Sequence, residues 1–350
     1  MRIRIVTFHR ALNCGAVLQT YALCTFLKGL GHRVEVLNYV PDWMRGAVSP
    51  IRAGHGINGF LLTPYRAIIR RCFDAFLKKN IPLTKLVRTA DDISRLPECD
   101  LYITGSDQVW NPEITHGLDE LYLLRFPTNA VKMSYAASYG MNNVPEEFAK
   151  AIAPALRDFR AVSVREHALQ AALEKAGLSS VKTVLDPVFL LTQEQWEAVS
   201  GSAHMSDYVL IYTKSRITKE REIAHELAVR YGLQVIDTSA IIRKQHVNRT
   251  MPSIGPREFL GLIKNARFIV TNSFHATAFS VIFKKDFYVL APGKYSVRQE
   301  SLLNDVGLKS RIITELPSRE YDRISYDAHM SDIQKLVHFS RSFLRESCHD

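Results

Sequence analysis

The chain's 350 residues are about twice the usual domain size, which predicts two domains. A content of 47% hydrophobic and 23% charged residues excludes extensive disorder, and no apolar run approaches the roughly 20 residues of a spanning helix. The excess of 45 Lys and Arg over 35 Asp and Glu points to anionic partners, but without long basic runs or aromatic RNA-binding motifs nucleic acid is not among them.

The chain opens directly on a strand-like segment, Arg2 to Phe8, with no signal-peptide core, so a cytoplasmic protein is expected. A helix follows over Gly15 to Lys28, ended by Gly29-Leu30-Gly31, and a second strand over Arg33 to Tyr39. Short apolar strands recur at Leu101 to Thr104, Val131 to Ala136 and Ala161 to Val164, with a helical pattern from Glu166 to Ala176. A second alternation begins after Trp196. It runs through strands at Tyr208 to Tyr212, Leu233 to Ile236, Phe268 to Thr271 and Phe287 to Leu290, separated by helices at Lys219 to Tyr231, Arg257 to Lys264 and His275 to Phe283. Such alternation predicts parallel sheets covered on both faces. The expectation is an α/β protein of two doubly wound Rossmann-like domains facing a cleft. An N-terminal domain would span 1–199, with a linker at Ser200 to Ala203, a C-terminal domain 204–328, and a last helical segment 329–350 packing back on the first. Cys14, Cys24, Cys72, Cys99 and Cys348 are scattered and odd in number, which argues against a disulfide framework or a zinc site.

Sheets of this kind bind ligands at the carboxyl ends of their strands, so the residues just after each strand are the candidates. After the first strand, Asn13 stands where it would cap a helix whose first amides, from Gly15 onward, can hold an anion. After the Leu101 strand come Gly105, Ser106, Asp107 and Gln108 beside Trp110, a carboxylate and an amide suited to sugar binding or acid–base work. Arg165 sits where a strand becomes a helix and can fork onto a carboxylate or phosphate. Asn272, Ser273 and His275 follow the Phe268 strand at a helix start, where a histidine can donate a proton near neutrality. Lys294 and Arg298 add two cations further on. Walker, H-E-x-x-H, G-x-S-x-G and D-x-D motifs are missing, so no metal is expected.

Seven of these segments together resemble the polysaccharide pyruvyl transferase family. They are Asn13 to Leu23, Gly105 to Asn111, Ser134 to Ser138, Ser163 to Glu166, Leu185 to Val188, Thr271 to Ala276 and Ser296 to Leu303, in family order over nearly the whole chain. The resemblance implies a GT-B-like fold, phosphoenolpyruvate as donor, no further cofactor, and a pyruvate ketal bridging two hydroxyls of one sugar. It also implies that Arg165 and His275 bind the donor and support catalysis, with His275 and Asp107 as acid and base in unassigned order. Many members carry arginine two residues before the histidine. This chain has Ser273 there, so Arg298 or Lys294 would supply the missing cation. Two other readings share the features: a nucleotide-sugar glycosyltransferase of the same fold, and a non-enzymatic carbohydrate-binding protein. Residues 45 to 79 interleave seven cations with aromatic and aliphatic residues against Asp74 alone. That profile suits an anionic membrane face and an acceptor linked to polyprenyl diphosphate, hence a peripheral location.

Overall fold

The computed structural model describes residues 1–44, 63–202, 205–213, 218–239, 245–290, 296–317 and 323–349; Lys294 and the whole of 45–62 lie outside them. The chain divides into two compact units, Met1–Leu191 with Leu336–Asp350, and Thr192–Lys335. The first carries β1 (Arg2–Val6), α1 (Cys14–Gly29), β2 (Arg33–Tyr39), α2 (Thr63–Asn80), β3 (Leu83–Val87), α3 (Ala90–Ser94), β4 (Leu101–Thr104), α4 (Pro112–Thr115), β5 (Val131–Ala137), α5 (Glu146–Leu156), β6 (Ala161–Val164), α6 (His167–Lys175) and β7 (Lys182–Thr183). The second carries α7 (Gln193–Val199), β8 (Tyr208–Tyr212), α8 (Thr218–Tyr231), β9 (Gln234–Asp237), β10 (Arg249–Thr250), α9 (Pro256–Asn265), β11 (Phe268–Thr271), α10 (Phe274–Ile282), β12 (Asp286–Val289) and α11 (Val297–Asp305). A last helix, α12 (Tyr326–Ser347), starts in the second unit and ends in the first.

Both sheets are parallel, with strand orders β3-β2-β1-β4-β5-β6-β7 and β10-β9-β8-β11-β12. Strands covered on both faces need apolar residues at successive positions, and β4 and β11 are buried at every position. Ile3 and Ile5 pair with Leu101 and Ile103, while Val209 and Ile211 pair with Phe268 and Val270 at the centre of the second core. α1 is buried on nearly all sides, which its apolar sequence from Ala16 to Leu27 permits. α2 is different. It buries Phe73, Phe76 and Leu77 and exposes Ile68, Arg71, Lys78 and Lys79.

The break between units falls at Leu191, earlier than a linker at Ser200 to Ala203 would place it. Trp196 on α7 is fully buried edge-on against Phe279, 4.9 Å between ring centroids, which ties residues 193–199 to the second unit. Gly201 is no free hinge either. Its amide donates to Arg257 O at 2.8 Å, and a Cβ on Gly261 would lie 2.3 Å from its carbonyl oxygen. At the other end, Tyr326 Oη donates to Lys285 O at 2.7 Å within the second unit. Ser340 Oγ accepts from Leu185 N at 3.0 Å, and Arg341 donates to Leu190 O at 2.9 Å, within the first. Among the described residues no helix is long and apolar enough to cross a membrane.

Each sheet reverses its winding once, between β1 and β4 in the first and between β8 and β11 in the second. At such a switch point neighbouring connections leave to opposite faces and open a crevice at the strand ends.

Candidate active site

At the first switch point Asn13 caps α1, its side-chain oxygen accepting from Gly15 N at 3.1 Å. The first turn of α1 holds no acidic residue, so its amide end keeps its positive field. The loop after β4 is packed too closely for freedom. Gly105 has φ +107, and a Cβ there would lie 2.3 Å from the Tyr135 carbonyl oxygen. Thr7 Oγ1 donates to Ser106 O at 2.8 Å, and Gln19 Nε2 donates to that Thr7 oxygen at 3.0 Å. Ser106 Oγ reaches Asp186 Oδ2 at 3.1 Å. Gln108 Oε1 accepts from Asn111 Nδ2 at 2.9 Å and fills the space a side chain at Gly140 would need. Trp110, set beside these polar groups in sequence, is 2% exposed and donates from Nε1 to Tyr122 O. It is a core residue and offers no sugar a stacking face.

Arg165 is also buried, at 5% exposure. Its Nη1 meets Asp186 Oδ2 at 2.6 Å, its Nε meets Glu166 Oε1 at 3.4 Å, and its Nη2 lies 4.0 Å from Asp107 Oδ1. Burial works against the guanidinium charge, but Asp186, Glu166 and Asp107 together outweigh it and raise its pKa. An arginine expected to present its fork to a donor is therefore occupied by carboxylates of its own unit. It fixes the ends of β4, β6 and β7 relative to one another. Glu166 also accepts from Ser138 Oγ after β5, and Asp186 caps the turn at Val188. Asp107 takes a left-handed backbone, φ 68, and its Oδ1 accepts from Gln108 N at 2.9 Å.

At the second switch point the polar groups come from α8, α10 and α11. Ser273 stands at the N-cap of α10 with extended backbone, yet its Oγ makes no hydrogen bond among the described residues. His275 follows in the first turn, 2% exposed, its ring edge-on to Phe274 at 5.2 Å. Asn272 joins three elements: its Nδ2 donates to Glu220 Oε1 on α8 at 3.1 Å, and its carbonyl accepts from Gln299 Nε2 on α11 at 2.8 Å. Arg298, beside Gln299 in the first turn of α11, is buried with it. Glu220 is buried as well, and its Oε2 finds no hydrogen-bond partner among the described residues. Burial pushes its pKa up to about 6, against the opposing pull of a backbone bond, Arg221 and Asn272. Arg221 turns instead to Asp237, 3.0 Å away.

Asn13, Gly15, Ser106, Asp107, Gln108 and Arg165 thus share the carboxyl edge of the first sheet, and Asn272, Ser273, His275 and Arg298 that of the second. Sequence reasoning missed Asp186, Glu166, Glu220 and Gln299 as site residues. Asp186 precedes Pro187 as a cap would, a usable signal; Glu220 sits unremarkably in a charged helix.

Two parallel doubly wound sheets in one chain, each with polar groups gathered at its switch point, define a two-domain Rossmann-like protein of the GT-B kind. A solved structure of a putative UDP-N-acetylglucosamine 2-epimerase from Listeria monocytogenes shares this fold, with TM-score 0.51 at 9% identity over 99% of this chain and 89% of that one. The UDP-GlcNAc 2-epimerase of Methanocaldococcus jannaschii, in complex with UDP-GlcNAc and UDP, matches over 86% of each chain at 14% identity and TM-score 0.48. No curated protein matches the chain. The profile of the polysaccharide pyruvyl transferases matches residues 13–294, and the chain belongs to that family.

Proposed function

We propose that this protein transfers the enolpyruvyl unit of phosphoenolpyruvate to two hydroxyls of one sugar, releasing phosphate and leaving a pyruvate ketal. The observation that carries the reading is the second switch point, where Ser273 and His275 open α10 and Arg298 stands in the first turn of α11, a helix joined to the site by the bond from Gln299 Nε2 to Asn272 O. A dianionic phosphate and a carboxylate suit that setting of helix amides, a hydroxyl and a guanidinium. Arg298 then takes the place of the arginine that many relatives carry where this chain has Ser273.

The chemistry needs one proton on the donor's methylene carbon, making it a methyl group, while a sugar hydroxyl bonds to C2 and loses its proton. Cleavage of the C2–O bond releases phosphate, and the second hydroxyl bonds to C2 and loses its proton in turn. One of the two hydroxyl protons balances the methyl group and the other leaves with phosphate. His275 and Asp107 are the two groups of suitable type for proton donor and hydroxyl-activating base. Arg165 acts through Asp107 as a positioning residue. No metal or redox cofactor is required by these steps.

The exposed stripe of α2 with Lys85, Leu86 and Arg88 of the neighbouring strand segment supports a peripheral contact with an anionic membrane, and so a lipid-linked acceptor. Charge reversal at Arg71, Lys78 and Lys79 is expected to abolish low-salt sedimentation with anionic vesicles.

The test of the main reading is a thermal-shift and turnover panel. Phosphoenolpyruvate is expected to raise the melting temperature and to release inorganic phosphate in the presence of a glycan acceptor, with full activity in chelator. Stabilisation by a nucleotide sugar, with no response to phosphoenolpyruvate, would sink the reading.

A further inference from the structure

Glu220 stands in the first turn of α8, just after β8, and is 0% exposed. Its Oε1 accepts from Asn272 Nδ2 at 3.1 Å, and its Oε2 has no hydrogen-bond partner among the described residues. Arg221, the next residue, is spent on Asp237 of β9, 3.0 Å away. A buried carboxylate met by a single neutral amide is poorly compensated as an anion, whereas a neutral acid of the same shape escapes that cost. Burial accordingly pushes the pKa of Glu220 up to about 6. α8 packs on β8, β9 and β11. Among the described residues, Arg221 works against that rise and Asp237 adds to it, while β8 offers Tyr208 and Tyr212 and β11 no titratable side chain.

What Glu220 holds is the turn that opens α10. Asn272 lies between β11 and Ser273, and its carbonyl accepts from Gln299 Nε2 at 2.8 Å. On the sheet side, Ser273 N donates to Thr271 Oγ1 at 3.0 Å, and that hydroxyl donates to Tyr212 O at the end of β8. On the helix side, Thr277 Oγ1 donates to Ser273 O at 3.0 Å. The Asn272 side chain ties the same turn to α8, and its carbonyl ties it to α11, whose first turn carries Arg298. Glu220 thus anchors a residue one position before Ser273 and three before His275.

We propose that Glu220 is a positioning residue for the donor, resting on the transferase reading above: as a neutral acid it holds Asn272, and through Asn272 the turn bearing Ser273 and His275, in the arrangement an anionic donor needs. Protonated, it fixes the turn without adding negative charge to that strand edge. Ionised, it opposes the donor there. The donor's own charge disfavours the ionised form, so binding draws a proton from solvent onto the Glu220 carboxylate.

The test joins pH profiles of phosphate release from phosphoenolpyruvate, with a glycan acceptor present, to amide hydrogen exchange of the ligand-free chain. In wild type, kcat/KM reports the free enzyme and is expected to fall about tenfold between about pH 6 and about pH 7.5, while kcat reports the bound complex and holds to higher pH. Glu220→Gln keeps an acceptor for Asn272 and cannot ionise, so it should remove the enzyme's share of that fall. Glu220→Leu removes the acceptor and should lower kcat/KM about tenfold or more throughout. Amides of residues 273–277 should exchange faster in Glu220→Leu than in wild type, and at the wild-type rate in Glu220→Gln. A Glu220→Gln profile that superimposes on the wild-type one overturns the proposal, and it does so even where Glu220→Leu fails to fold. Exchange at 273–277 that is equal in all three proteins overturns it as well. Failure of phosphoenolpyruvate to react would instead overturn the transferase reading, while the exchange rates still judge the hold of Glu220 on the turn.

Discussion

The two switch points share a topology and differ in how their polar groups are satisfied. In the first unit Arg165 is held by three carboxylates, Ser106 by Asp186, Gln108 by Asn111, and Gly105 and Gly140 leave no slack in the loop. In the second unit, among the described residues, Ser273 Oγ, Glu220 Oε2 and Gln299 Oε1 are buried without hydrogen-bond partners, against Gln19 Oε1 at the first switch point. Buried polar groups are ordinarily paired, and exceptions mark places where a ligand or proton completes the set. The difference teaches that one cluster is a rigid frame held by its own ion pairs, while the other keeps buried polar atoms that the described protein does not pair.

The largest effect expected from this contrast is on stability in the first unit. Asp186→Ala leaves Arg165 without its shortest ion pair and removes the cap at Val188, so a loss of about 3–5 kcal/mol is expected, read from urea unfolding. A loss below about 1 kcal/mol would show that Glu166 and Asp107 hold the guanidinium unaided, and the picture of a locked frame would fail.

In the second unit the large effect should fall on rate. His275→Ala is expected to lower turnover about 10²–10⁴-fold, with an unfolding midpoint shifted far less than that of Asp186→Ala. Wild-type-like turnover would remove His275 from the chemistry.

Glu220 sharpens the contrast through pH. Its carboxyl has a higher pKa folded than unfolded, so its contribution to stability is full at low pH and is lost as pH rises through about 6. Glu220→Gln should flatten the dependence of melting temperature on pH between about pH 5 and pH 7. An unchanged profile would mean that the carboxylate is already charged and solvated across that range. His9 works the other way. Its pKa is depressed to about 4, so its contribution is present above the ordinary histidine value and is lost as pH falls.

The smallest effect is expected at Ser273. Its hydroxyl is already desolvated and unpaired, so Ser273→Ala should leave the ligand-free protein as stable as wild type or slightly more so. Loss of one hydrogen bond to the donor, worth about 0.5–1.5 kcal/mol, should raise its KM about two- to tenfold. A marked fall in ligand-free stability would show that the hydroxyl already has a partner.

Much of the architecture could be read from the chain. The strand at Phe268 to Thr271 and the helix after it were legible because apolar residues at successive positions, followed by small polar ones, have few other ways to fold. Asn13 was legible as a cap for the same local reason. The unit boundary was not, since glycine and serine at 200–203 look mobile until α7 and α9 are seen packed across them. Arg165 was legible as an important position but not as a paired one. Its partners lie in other connections, with Asp186 being 21 residues away, and Asp186 is also held by Ser106 from 80 residues away.

By itself, then, the sequence determined what short-range physics decides: two alternations of strand and helix, their parallel pairing, and chemically capable residues at the strand ends. It also determined the family, because seven separated segments in order leave little room for coincidence. Only the tertiary structure decided which of those residues are already bonded to the protein and which are open to something else. Glu220 and Asn272, 52 residues apart, acquire their meaning from parallel strands whose neighbours in space are distant in the chain. Charge and hydrogen-bond satisfaction act over a few ångströms in space, and linear order does not encode those distances.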